Sequence, residues 1–198
     1  MADVAIASPE SEHEVSRAAG PCAMVLFGAA GDLTKRKLVP ALFNLAKAKL
    51  LPQGFALIGV SVDDLSLEQF RDQVTGFLPG QDRNSETLRW FTERLHYERG
   101  DFADPATYST LMARLANLDS ERHTGGNYLF YLATAPKFFA PVVQHLGTAA
   151  LSREENGQWR RVVIEKPFWT RPGICQDPEQ SSHLRSHPQE TSGQVCVP

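Results

Sequence analysis

The stretch Cys22-Ala-Met-Val-Leu-Phe-Gly28-Ala-Ala-Gly31-Asp-Leu33 decides the fold of this chain. Its first six residues form a short apolar run that a glycine ends, which is typical of a buried β-strand. A helix is predicted from about Leu33 to Leu50, because apolar residues recur there at steps of three and four. The members of this expected apolar stripe are Leu38, Leu42, Leu45 and Ala46.

The same alternation of strand and helix continues along the chain. Strands are predicted at 55–60, 96–98, 127–133 and 161–165, and helices at 67–78, at 86–95, from Asp104-Pro105 onward, and from Pro136 to about 150, with a break at Pro79-Gly80. This spacing favours an α/β fold, with a mainly parallel, doubly wound sheet and helices on both faces. A glycine turn between its first strand and first helix makes the expected class Rossmann-like.

Composition bounds the function. Hydrophobic residues make up 42% and charged residues 22% of the 198 residues, which is typical of one soluble globular domain. The formal net charge of −3 favours neither nucleic acid nor a membrane as a partner, and no apolar run is long enough to cross a bilayer. The three cysteines form no C-x-x-C pair, so neither a metal site nor a disulfide framework is expected. Cys22 is interpreted as a buried thiol in a cytoplasmic protein.

The glycine loop between the first strand and helix is the strongest candidate site. Gly28 allows a tight turn, and Gly31 lets the backbone approach a phosphate closely. Free N–H groups at the start of a helix attract a negative pyrophosphate. The alternative is a turn of small residues that binds nothing. The sequence contains neither a G-x-x-x-x-G-K-[ST] motif nor a tyrosine followed four residues later by lysine, which disfavours P-loop proteins and short-chain dehydrogenases.

Four stretches in the same order resemble the glucose-6-phosphate dehydrogenase family. They are GAAGDLTKRKLVPALF (28–43), NYLFYLA (127–133), APKFF (135–139) and IEKPF (164–168), and the resemblance covers about Cys22 to Phe168. It implies an NAD(P)-binding domain at residues 21–168. For the family it implies oxidation of glucose 6-phosphate to its lactone with hydride transfer to NADP, the first step of the oxidative pentose phosphate pathway.

The resemblance also implies roles for single residues. Tyr131 would lie along the cofactor, with Ala135 and Pro136 near the nicotinamide. Lys166 would contact both cofactor and substrate, and Lys37 would face the sugar-phosphate pocket. Without the resemblance, both lysines would be ordinary surface residues. The residues that would surround the cofactor phosphates are Gly28, Ala29, Ala30, Gly31, Asp32, Leu33, Thr34 and Lys35.

The chain departs from the family at the residue for the 2′-phosphate of NADP. Val62 stands where the family has an arginine, and Asp63 and Asp64 follow it. Carboxylates repel a phosphate but suit the free ribose hydroxyl of NAD, so Asp63 is a candidate cofactor-binding residue. The alternative is that both aspartates simply solvate a loop. We expect a weaker preference for NADP than in the family, with NAD also accepted.

No catalytic residue can be assigned from the sequence. The family's catalytic stretch, R-I-D-H-Y-L-G-K-E, is absent, and none of the six histidines directly follows an aspartate. Oxidation of an alcohol by hydride loss needs a base within hydrogen-bond reach. The chain is therefore expected to be inactive alone and to lack the family's homo-oligomer contacts. The alternatives are a stand-alone NAD(P)-binding module and a vestigial fragment without catalysis or cofactor affinity.

Residues 169–198 have no helical or strand period and are interpreted as a disordered, frameshifted tail. Trp169 stands where the family has glycine. Its TGG codon, followed by the A of the Thr170 codon, gives glycine one base later. The next codons then permit the family's continuation, Gly-His-Asp-Leu-x-Ser-Ala-x-x-Leu-Asn. On this interpretation the sheet is incomplete at its C-terminal end, and an uncovered edge makes the chain prone to aggregate. The small, acidic residues 1–20 are also expected to be disordered.

Overall fold

The computed structural model describes residues 19–78 and 85–165. The five strands of these residues form one parallel sheet in the order β3-β2-β1-β4-β5. The chain builds outward from β1 to β3 and then crosses to the other side of β1, so the strand order reverses there. Ligands of such sheets bind at this reversal, at the carboxyl ends of the strands. The strands are β1 (Cys22–Phe27), β2 (Phe55–Ser61), β3 (Leu95–Arg99), β4 (Tyr128–Leu132) and β5 (Arg160–Ile164).

The helices of the described residues follow the predicted order. The end predicted for the helix at 86–95 is wrong, because Leu95 belongs to β3. The first helix begins with a π-helical turn at Thr34–Leu38, and a 3-10 turn at Pro136–Phe138 precedes the last helix. The predicted break at Pro79-Gly80 lies outside the described residues. The helices are α1 (Val39–Lys47), α2 (Leu67–Thr75), α3 (Glu86–Thr92), α4 (Pro105–Arg122) and α5 (Phe139–Thr148).

Polar residues define where three helices begin. Ser66 accepts from the N–H of Gln69 in a capping box that starts α2, and Ser85 caps α3. The Asp104 carboxylate accepts from the N–H of Ala106, with proline as the first residue of α4. The helix start predicted at Asp104-Pro105 is therefore confirmed.

Both faces of the sheet are covered, as predicted. All six residues of β1 are buried, and alternate side chains point to opposite faces. Ala23, Val25 and Phe27 pack with α4 and α5, where Leu111, Leu115 and Leu118 are fully or almost fully buried. The second core lies on the other face, and its members from β1 and the first helix are Cys22, Met24, Leu26, Val39, Phe43 and Ala46.

The expected apolar stripe of the first helix is confirmed except at Leu45. Val39, Phe43 and Ala46 form its buried face, whereas Leu45 is 41% exposed. Leu38 and Leu42 are partly buried and pack against the same core, so Leu45 alone of the expected stripe faces solvent.

The structure also bears on the expectations for Cys22, for membrane-spanning segments and for metal sites. Cys22 is buried, and burial raises the pKa of its thiol, which keeps it protonated and unreactive. Within 19–78 and 85–165, no helix is long and apolar enough to cross a membrane, and no group of acidic, histidine or cysteine side chains could hold a metal. The N–H of Ala19 donates to the carbonyl of Leu50. Residues 1–18 and 166–198 lie outside the described residues, and with them the expected disorder and the frameshifted tail.

Candidate functional site

The glycine loop is attached to the ends of two neighbouring strands. The N–H groups of Gly28 and Ala29 donate to the carbonyl of Val60 in β2, at 3.0 and 3.1 Å. Gly28 has φ +90, and a Cβ there would lie 2.4 Å from the carbonyl oxygen of Ala133, just after β4. Glycine is therefore required at 28 by backbone conformation and by this close approach.

Hydrogen bonds hold the loop in one shape. The buried hydroxyl of Thr34 donates to the carbonyl of Gly28 at 3.0 Å. The N–H of Gly31 donates to the same carbonyl at 3.0 Å, and the N–H of Lys35 donates to the carbonyl of Gly31 at 3.2 Å. The loop is consequently preorganised before any ligand arrives.

The loop presents backbone donors. Among the described residues, no backbone carbonyl accepts from the N–H groups of Ala30, Asp32 or Leu33. Gly31 and Asp32 are exposed, so the turn is open to solvent. Unpaired N–H groups at a helix start favour an anion, and the open glycine admits it to backbone distance. This donor set fits a pyrophosphate.

The π-helical turn adds positive charge next to these donors. It carries Lys35, Arg36 and Lys37 in succession, of which Lys37 is exposed and Lys35 half-buried. Arg36 pairs with Asp32 at 3.7 Å, with both side chains largely in solvent. Such an exposed pair is weak, so all three cations contribute to the local potential. π-helical turns occur often at functional sites.

The end of β4 contributes a second group of predicted residues. Tyr131 is half-buried, and its hydroxyl donates to Oε2 of Glu165 at 3.0 Å. Burial, and then the bond to Glu165, raise the pKa of Tyr131, so the phenol is neutral at physiological pH. Ala135 and Pro136 are exposed just beyond this strand. The structure therefore brings Tyr131, Ala135 and Pro136 to the same sheet edge as the glycine loop.

Sequence reasoning missed two polar groups at this edge. Glu165 directly follows β5 and binds Tyr131. The hydroxyl of Thr134 is buried without a hydrogen-bond partner among the described residues, and its methyl group would lie 3.2 Å from a Cβ at Gly28. The available signal was position alone, because both residues come just after a strand. Lys166, the other residue predicted here, lies outside the described residues.

The residues after β2 form a third group. Val62 is 57% exposed. The carboxylate of Asp63 accepts from the hydroxyl of Ser61, and its carbonyl accepts from the hydroxyl of Tyr97 at 2.7 Å. Asp64 pairs with Arg99, with 3.2 Å between Oδ1 and Nη1. Sequence reasoning missed Arg99, which is the last residue of β3.

None of the three described histidines lies at the carboxyl ends of β1 and β4. His96 lies on the outer strand β3, in register with Ile58 of β2, and desolvation and nearby arginines lower its pKa to about 4. His145 stacks on Tyr108 at 5.0 Å. His123 ends α4 with φ 56, and its carbonyl lies beside Gly54, which precedes β2. The described residues thus offer no histidine base at the candidate site.

A parallel sheet with reversed strand order and a phosphate-binding turn after β1 defines a dinucleotide-binding domain of the Rossmann-like class. A family model described as "Glucose-6-phosphate dehydrogenase, NAD binding domain" matches residues 25–184. The chain therefore belongs to the glucose-6-phosphate dehydrogenase family, a family of oxidoreductases. The matched domain is one that binds a nicotinamide cofactor.

Individual relatives agree. The chain is 39% identical to glucose-6-phosphate 1-dehydrogenase 2 of Mycobacterium tuberculosis over 163 residues, which cover 79% of this chain and 31% of the relative. It is 31% identical to the Leuconostoc mesenteroides enzyme, over 74% of this chain and 30% of that protein. The chain thus spans less than a third of the length of these relatives.

Solved structures show the same fold. A glucose-6-phosphate dehydrogenase in complex with its substrate glucose-6-phosphate matches with a TM-score of 0.67 and 29% identity, over 77% of this chain and 31% of that one. The Mycobacterium avium enzyme matches with a TM-score of 0.61 and 29% identity, over 75% and 30% of the two chains.

Proposed function

We propose that this chain is the cofactor-binding part of a glucose-6-phosphate dehydrogenase, which oxidises glucose 6-phosphate to 6-phosphogluconolactone. Family membership and the preorganised glycine loop support this proposal. The loop is the observation that carries it, because unpaired N–H groups, an open glycine and three basic residues converge at the strand reversal. We place the NAD(P)-binding domain at residues 21–168.

The loop from Gly28 to Lys35 would hold the cofactor pyrophosphate on its backbone donors. Tyr131 would lie along the cofactor, with Ala135 and Pro136 beside the nicotinamide. The nicotinamide supplies the hydride acceptor of the reaction. Lys37, which is exposed on the π-helical turn, would face the sugar phosphate, and its ammonium would hold an oxygen as a point charge. Lys166 keeps the role that the family resemblance implies, contacting cofactor and substrate.

Chemistry also needs a base for the sugar hydroxyl. The three described histidines lie away from the loop, with His96 in the sheet, His145 against Tyr108 and His123 at the opposite sheet edge. We therefore propose that the chain binds the cofactor but does not turn over glucose 6-phosphate alone.

Whether the cofactor is NADP or NAD depends on the residues after β2. Val62, Asp63 and Asp64 support acceptance of NAD beside NADP.

Calorimetric titration of the full chain with NADP⁺ and NAD⁺ tests the binding proposal. Gly31→Ala should weaken both dinucleotides by about tenfold, equivalent to about 1.4 kcal/mol, because its methyl group would lie 3.1 Å from the carbonyl oxygen of Gly28 and crowd the turn. The matched control is Gly147→Ala, where a Cβ on α5 meets nothing within 4 Å. Binding should be unchanged in this control.

A chain that binds neither dinucleotide would be the vestigial fragment instead. A spectrophotometric assay with glucose 6-phosphate tests the second half of the proposal. Reduction of the cofactor by the purified chain would show that the chain is catalytically active without any other protein. We expect binding without turnover.

A further inference from the structure

The last residue of β3 reaches the loop after β2. Arg99 pairs in register with Ser61, the last residue of β2, so both strands end at the same level. Its guanidinium Nη1 lies 3.2 Å from Oδ1 of Asp64. The two side chains are 61% and 83% exposed. An ion pair this exposed is weak, so the arginine can exchange its partner at little cost.

Arg99 and Val62 line the same cavity, which has a volume of about 410 Å³. Its other described walls include Asp101 and Asp104 before and at the start of α4. These two carboxylates accept from the N–H groups of Ala103 and Ala106, each at 2.9 Å. Among the described lining residues, Arg99 is the one cation. An anionic group in this cavity would therefore be held by Arg99.

The cavity adjoins the end of the strand to which the glycine loop is attached. Gly28 and Ala29 both donate to Val60, and Val62 follows two residues later. A dinucleotide whose pyrophosphate lies on this loop places its adenosine ribose over the end of β2. The substituent at the ribose 2′ position then faces the segment from Val62 to Asp64 and the Arg99 that pairs with it. This step rests on the proposed function.

We propose that Arg99 binds the 2′-phosphate of NADP in this chain, and that it exchanges its ion pair with Asp64 for one with the phosphate. A guanidinium binds phosphate through two parallel hydrogen bonds, which are stronger than an exposed contact to one carboxylate. When the ribose carries a free hydroxyl, Arg99 stays with Asp64. Specificity for the 2′-phosphate then comes from an arginine at the end of β3. The position just after β2, where the family has its arginine, is occupied by Val62.

Asp63 keeps its hydrogen-bond partners during this exchange. The carboxylate of Asp63 accepts from Ser61, and its carbonyl accepts from Tyr97 at 2.7 Å. Asp64, in contrast, is the exposed partner of Arg99. Asp64 therefore competes with the phosphate for the guanidinium, which lowers the preference for NADP without removing it.

Two substitutions with opposite effects test the proposal by calorimetry on the full chain. Arg99→Ala should weaken NADP⁺ by about tenfold to a hundredfold, the effect of losing a charged hydrogen bond. It should leave NAD⁺ within about twofold. Asp64→Asn should tighten NADP⁺ by about threefold or more, because the competing carboxylate is gone. Arg153→Ala removes another exposed, ion-paired arginine and serves as the matched control.

The compounds 2′,5′-ADP and 5′-ADP separate recognition of the 2′-phosphate from recognition of any phosphate. Arg99→Ala should weaken the first alone. Unchanged NADP⁺ affinity in Arg99→Ala, or an equal loss for NADP⁺ and NAD⁺, overturns the role of Arg99. So does a wild-type chain that binds NAD⁺ but not NADP⁺, although this result would leave the proposed function standing. A wild-type chain that binds neither dinucleotide overturns both.

Discussion

The hydroxyl of Tyr131 donates to the carboxylate of Glu165, with 3.0 Å between the two oxygens. Tyr131 is in register with Val163 of β5, and Glu165 directly follows that strand. The bond therefore ties two parallel strands together across their carboxyl ends. It also holds a neutral phenol at the edge where we propose that the nicotinamide binds.

Tyr131→Phe should lower the free energy of unfolding by about 1 kcal/mol, because the ring still packs but the hydrogen bond is lost. Urea titrations of Tyr131→Phe, Glu165→Ala and the double variant measure the coupling between the two side chains. If the two single effects simply add, the bond contributes nothing to stability. Glu165→Gln keeps an acceptor oxygen and should change stability less than Glu165→Ala.

His96 should make stability depend on pH. Its Nε2 is buried without a partner among the described residues, and desolvation with Arg114, Arg122 and Arg71 lowers its pKa from 6.5 to about 4. Between these two values the unfolded chain binds a proton here and the folded chain does not. The free energy of unfolding therefore falls as the pH drops through this window and levels off below it.

The loss should be about 1–2 kcal/mol after allowance for solvent screening. Urea titrations at about pH 7 and about pH 4.5 compare the chain with His96→Gln. The variant should lose this part of the pH dependence, whereas His123→Gln, at an exposed position, should keep it. An identical pH dependence in His96→Gln would contradict the assignment.

Gly28→Ala should destabilise the fold by at least about 2 kcal/mol, because φ +90 and a Cβ 2.4 Å from the carbonyl of Ala133 both oppose a side chain. Gly147→Ala lies in a helix with open space around it and should raise stability by about 0.5–1 kcal/mol. Thermal unfolding of both variants checks the contrast. Equal melting temperatures would show that the loop yields to the methyl group.

The exposed apolar side chains of β5 lead us to expect self-association. β5 lies at the edge of the described sheet, and Val162, Val163 and Ile164 are 39%, 38% and 47% exposed. An apolar edge strand pairs readily with another chain. Size-exclusion chromatography over a range of concentrations should show association that Val163→Lys reduces. Val143→Lys, on a valine 44% exposed in α5, should have no such effect. A sharp monomer peak at all concentrations would contradict this prediction.

Much of the architecture could be predicted because its signals are local. The apolar run of β1 is a buried strand, as its sequence predicted, and the helix predicted from Asp104-Pro105 onward is α4. Glycine at 28 was interpretable for the same reason, since its role comes from its own backbone conformation. The alternation of elements predicted a parallel sheet, whereas the strand order β3-β2-β1-β4-β5 was not predicted, because right-handed crossovers leave several orders open.

The residues that were missed depend on contacts between distant segments. Arg99 and Glu165 are charged residues at strand ends, a pattern that ordinary surface residues share. Their partners, Asp64 and Tyr131, are 35 and 34 positions away in the chain, so only the sheet register brings each pair together. In the first helix, spacing alone predicted neither the π-helical turn nor the exposure of Leu45.

That turn separates two requirements on one helix. Before the turn at Thr34–Leu38, the backbone must form the glycine loop at the carboxyl ends of the strands. After the turn, Val39 and Phe43 must fill the core. The extra residue of a π-helical turn can be absorbed or released without moving either end. The turn therefore acts as an adapter for chain length, so the helix can gain or lose one residue there while its core residues keep their places.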